Sequence, residues 1–159
     1  MRSVTTAATM SGWLMAYRLI LYGLCKDPVA HHVVAELVAA VTAADGAARY
    51  RPAGPGIGWT HGTLTADRPD AVAQRPTRPV HPEVDTRPDL LRSVAATYRD
   101  HPIGSRLVGL NVSAAITLSG EPVDWHLVRA LWSAVQESWL TIIPRDEVEG
   151  FDVPLDGLT

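Results

Sequence analysis

A chain of 159 residues, 47% hydrophobic and 19% charged, has the composition of a single folded domain. At this length roughly 70% of the unfolded chain's surface can be buried, so no metal or disulfide staple is required. Composition excludes a disordered chain, a collagen-like repeat and a disulfide scaffold. The formal net charge of -3 lacks the basic excess of a nucleic-acid binder.

Charge is unevenly placed: from Arg106 onward the chain is the acidic end, and Lys26 is its one lysine. Cys25, the single cysteine, excludes an internal disulfide and suits a reducing compartment. The apolar run Trp13 to Leu24 is broken by Arg18 and followed by no small-residue cleavage site. At about 12 residues it is shorter than the roughly 20 needed to cross a bilayer. A cytoplasmic protein is expected, with no membrane and no nucleic-acid partner.

Residues 1–11 are small and polar and are predicted to be flexible; 12–143 are predicted to form one domain. Trp13–Leu24 reads as a buried strand. Asp27-Pro28 then opens a helix, with Asp27 as N-cap and Pro28 at the first helical position. Val29, Val33, Val34, Leu37, Val38 and Val41 share one face of it, and Gly46 ends it. A strand leading into an amphipathic helix reads as half of a βαβ unit.

The segment 51–87 is a Pro/Gly-rich excursion that includes the pairs Arg51-Pro52, Arg68-Pro69, Arg75-Pro76 and Arg78-Pro79, with Arg87-Pro88 at its end. Each proline removes a backbone donor and biases its predecessor toward extended geometry. Only Trp59–Ala66 has enough branched residues for a strand, and 67–87 reads as a long irregular loop. A helix is predicted from Pro88, with Leu90, Leu91, Val94, Ala95 and Tyr98 on one face. Alternation from Val108 to Leu118 is the clearest strand pattern in the chain. A further helix begins near Pro122, with Asp124 at its positive end. Leu140–Ile143 reads as a closing strand, and 144–159 as an acidic tail.

The helix after Pro122 is unusual. Trp125, Trp132 and Trp139 recur at seven-residue spacing, and Val123, Leu127, Leu131 and Ala134 form a second apolar line. Together they span about 220°, against the roughly 100° stripe of an ordinary surface helix. Such a helix must meet two surfaces, within the chain or on a partner. Aromatic enrichment at interface centres makes Trp125, Trp132 and Trp139, with Trp59, the candidate binding residues.

Cys25 sits between an apolar run and a helix start, where amide donors and Lys26 could lower a thiol's pKa. His31 or His32 could then act as its base. No C-x-x-C or C-x5-R pattern accompanies it. His32 and Glu36 stand at i, i+4, but zinc needs a third ligand and no zinc motif is present. Gly54-Pro55-Gly56-Ile57-Gly58 lacks the Lys-Ser/Thr of a phosphate loop.

The order of elements predicts an α/β chain, with α+β as the alternative. It would be a two-layer sandwich with a small mixed sheet of three or four strands and about three helices. The expected function is interaction or assembly, with a protein partner or a second copy, through the tryptophan helix and the Pro-rich loop. A thiol-dependent enzyme using Cys25 is the alternative. No cofactor and no metal are expected.

Overall fold

The computed structural model of the chain describes residues 17–148 and 150–152. The segment 1–11, the start of the strand predicted from Trp13, and residues 153–159 lie outside the described residues. In chain order the elements are β1 (Tyr17–Leu24), α1 (Ala30–Ala44), β2 (Ala48–Gly56), β3 (Trp59–Ala66) and β4 (Val80–Asp85). Then come α2 (Pro88–Thr97), α3 (Gly104–Leu107), β5 (Val112–Leu118), α4 (Trp125–Ser138), β6 (Thr141–Asp146) and β7 (Gly150–Phe151).

The strands form one seven-stranded sheet in the order β2-β3-β4-β5-β1-β6-β7, antiparallel at every pairing. This corrects the expected small mixed sheet of three or four strands. Neither helical crossover returns to a neighbouring strand. α1 carries the chain from β1 to the far edge at β2, and α4 steps over β1 to join β5 to β6. The strands joined by each of these two helices run the same way, yet each has only antiparallel neighbours in the sheet.

The undercounted strands come largely from the proline-rich segment, and their prolines sit where the ladder tolerates them. Pro52 lies on edge strand β2 beside a register shift between Pro52 and Gly54. Pro82 lies in an interior strand, where it pairs with Ile116 of β5 while the β3–β4 ladder skips the Gly62–Pro82 position, so its missing N–H falls at a gap on the β3 side. Gly54-Pro55-Gly56-Ile57-Gly58 is the β2–β3 hairpin, with Gly58 at φ 78° in its turn. Residues 69–76 close on themselves through a Pro69–Pro76 bridge, and the Asp70 carboxylate accepts the amides of Val72 and Ala73.

Ends shift for similar reasons. β5 starts at Val112 rather than Val108, because Gly109 turns the backbone at φ 85° and leaves Val108 exposed. α1 starts at Ala30, capped by Val29, while Asp27 bonds the exposed His32 ring instead of capping the helix. The expected acidic tail contributes Pro144–Asp146 to β6 and Gly150–Phe151 to β7.

Alternation decides what each face of the sheet meets. Leu19 and Leu21 of β1, Leu64 of β3, Val80 and Val84 of β4, and Ile116 of β5 face a core closed by α1 and α4. Residues of opposite parity on β1 and β6, including Ile20, Tyr22 and Ile143, meet Leu91, Ile103 and Leu107 from α2 and α3. Three layers therefore stack over β1 and β6, where two were expected. Leu21, Leu64, Ile116, Leu127 and Ile143 are at most 1% exposed. Burying one such side chain stabilises by about 1.5–3 kcal/mol.

Candidate functional site

The broad apolar perimeter of α4 meets two surfaces of its own chain. Leu127, Val128, Leu131, Ala134 and Val135 are buried in the core shared with the sheet and with α1, which packs alongside. Trp125 and Trp132 are half-buried against that core, and Trp139 is 6% exposed. The indoles thus widen the cover that two helices give a seven-stranded sheet.

The ends of both helices meet in an ionic brace that the sequence reading did not single out. Asp45 follows α1, and Asp124 caps α4 by accepting the Leu127 amide at 3.1 Å. Arg68, just after β3, bridges them, donating to Asp124 at 3.1 and 2.8 Å. Thr77 donates to the same carboxylate at 2.9 Å, and the His126 ring lies 3.0 Å from Asp45. Hydrogen bonds from Arg68 hold the Asp45 carboxyl at about 2, well below its usual range. Burial alone would raise Asp124, but the bonds from Arg68, Leu127 and Thr77 outweigh it and hold this carboxyl low too. Asp124 was legible as a cap. Its partner Arg68 was not, since the contact spans 56 positions. The brace fastens the β3–β4 connection to the helix ends.

Cys25 is buried at the end of β1. Its amide and carbonyl are both clamped by the Asn111 side chain, at 2.9 Å each. Burial pushes its thiol up, and the charges of Asp27 and Glu36 push the same way. His31 and His32 are exposed on α1 and stack edge to face at 4.3 Å. Among the described residues no three metal-ligating side chains converge.

The sheet face opposite α1 and α4 is where polar chemistry gathers. α2 and α3 cover its β1–β6 end. Beyond them, one row crosses five strands, from Arg51 through Thr63, His81 and Thr117 to Arg18. The Thr63 hydroxyl and His81 Nδ1 stand 3.4 Å apart within it. In the adjoining row His61 pairs with Glu83, and the next begins with Trp59 opposite Asp85. Trp59 stacks on His61 at 5.1 Å between centroids, with planes 14° apart, and the Arg87 guanidinium lies 5.9 Å from the indole.

At the β2 edge, Arg49, Arg51, Thr63 and Thr65 line a groove of about 410 Å³. Arg49 turns part of its guanidinium onto the Gly46 and Ala48 carbonyls, while Arg51 is exposed. Asp85 is closed in an ion pair with Arg87 at 2.5 Å. Arg18, Arg49 and Arg51 share this face with the carboxylate of Glu83. The face is locally positive on a chain whose net charge is -3. Of the four tryptophans expected to bind, Trp59 stands on it, and the three of the α4 stripe belong to the other side of the sheet.

No family model matches the chain, and comparison with curated proteins and with solved structures gives no significant match. No helix among the described residues is long and apolar enough to cross a membrane.

Proposed function

We propose that this chain is an interaction protein that holds an acidic segment of a protein partner against the uncovered half of its sheet. The observation that carries this reading is the groove at the β2 edge. It combines arginine walls with a threonine-hydroxyl floor on a face that α2 and α3 leave open. Guanidinium groups bind carboxylates in a planar, two-pronged geometry, and threonine hydroxyls add neutral donors. Trp59, stacked on His61, supplies an aromatic anchor beside the charged groove. An acidic peptide suits this site better than a nucleic acid, because the rest of the chain is net negative and repels a long polyanion.

This reading moves the binding surface from the indole stripe of α4, where the tryptophans pack on their own core, to the opposite side of the sheet. Burial at Cys25 disfavours the thiolate that thiol chemistry would need.

Backbone-amide NMR tests the proposal with a deca-glutamate peptide, a neutral Gly/Ser peptide and a single-stranded oligothymidine. The acidic peptide should shift amides of β2, β3 and β4 and the Trp59 indole N–H, and added salt should reverse the shifts. Tighter binding of the oligothymidine, or shifts centred on α4, would overturn the reading.

A further inference from the structure

At the other end of the same sheet face, α2, α3, β6 and β7 border an open pocket of about 460 Å³, the size of a small-molecule site. Tyr98, His101, Ile103, Arg106, Arg145 and Phe151 supply most of its wall. Arg145 comes from β6 and continues the row Glu83, Ala115, Ile20 across the sheet. Its guanidinium carbon lies 5.3 Å from the Tyr98 ring centre and 5.5 Å from that of Phe151. The two rings meet edge to face at 4.8 Å. Such a cradle fixes a guanidinium by its faces and leaves its N–H edge for hydrogen bonding. Among the described residues no carboxylate accepts from Arg145.

Two further donors border the same space. His101 Nδ1 accepts the Ile103 amide at 3.1 Å, which places the proton of the neutral ring on Nε2. Arg106 pairs with Asp152 at 2.6 and 3.2 Å, both side chains half exposed. An exposed ion pair of this kind is weak, so an incoming anion can displace it.

From these contacts we infer that the pocket is a binding site for a small aromatic phosphate monoester. Arg145 and Arg106 take the phosphate oxygens, His101 donates a third bond, and the ligand's ring lies among Tyr98, Phe151 and Ile103. This site stands apart from the acidic-partner surface. Its signals fall on α2, α3, β6 and β7 rather than on β2 to β4, so either proposal can fail alone.

Titration of the full chain with phenyl phosphate, benzoate and inorganic phosphate, followed by NMR shifts of those elements, tests it. Phenyl phosphate should bind at least about tenfold more tightly than either comparison anion. Arg145→Met should weaken it by about tenfold or more, the loss expected for a charge-assisted hydrogen bond. Arg106→Gln, at an exposed position, should weaken it without lowering the melting temperature. Equal binding of inorganic phosphate would remove the aromatic part of the inference, and tighter binding of benzoate would remove the phosphate. Absence of shifts, or full affinity in both variants, would overturn the site.

Discussion

Arg68 grips Asp45 through both prongs of its guanidinium, at 3.1 Å from Nη1 to Oδ1 and 2.6 Å from Nη2 to Oδ2. The same guanidinium holds Asp124, so one cation serves two carboxylates that are at most 5% exposed. Removing it would strand both. Arg68→Met should therefore destabilise the fold by about 3–5 kcal/mol, the cost of leaving buried charge unpaired. Urea unfolding would show this as a lowered midpoint. A shift equivalent to less than about 1 kcal/mol would mean that water serves the carboxylates equally well.

The brace also sets an acid limit. Asp45 falls from 3.8 to about 2 on folding, so its contribution is fully present above pH 4. That contribution fades as pH drops through about 2, and Asp124, lowered as well, acts in the same direction. The chain should lose about 2 kcal/mol from Asp45 alone between pH 4 and pH 2. Asp45→Asn should flatten that part of the stability profile, and an unchanged slope would contradict the assignment.

Gly23 is a packing requirement rather than a turn residue. A Cβ there would meet the Trp139 ring and come within 2.6 Å of the Thr141 carbonyl oxygen. Since the carbonyl belongs to the partner strand and the indole closes the core, neither can yield cheaply. Gly23→Ala should cost about 1–3 kcal/mol, with a matching drop in melting temperature. A neutral result would show that the β1–β6 pair can spread at this point.

Cys25 should react slowly. Burial raises its thiol above the ordinary range, so iodoacetamide should label the folded chain at least about tenfold more slowly than the urea-unfolded chain at pH 8. Rapid labelling of the native protein with a depressed pKa would restore the thiol-enzyme alternative.

Local pattern announced some of this molecule and hid the rest. Strict alternation at Val112–Leu118 and the Val33, Leu37, Val41 face of α1 were legible because each follows from one element's own period. The width of α4's apolar face was legible too, but the identity of its second surface was not, because α1 lies nearly a hundred residues upstream. Pro52 and Pro82 hid β2 and β4, since a proline speaks against a strand unless one knows that it lies on an edge or opposite a gap in the ladder. The open face was invisible for a related reason. Arg18, Arg51, Thr63, His81 and Thr117 come from five strands, and only the register brings them into line. No spacing in the chain encodes that row.

The most direct test of the account is the affinity of the deca-glutamate peptide for wild type and for the Arg49→Glu/Arg51→Glu double variant, measured by calorimetry in low salt. Both positions are exposed on the edge strand, so the variant should melt as wild type does. The account predicts at least about a tenfold loss of affinity on reversing these two charges. Equal affinity in a folded variant would contradict it and send the search for this protein's partner to another surface.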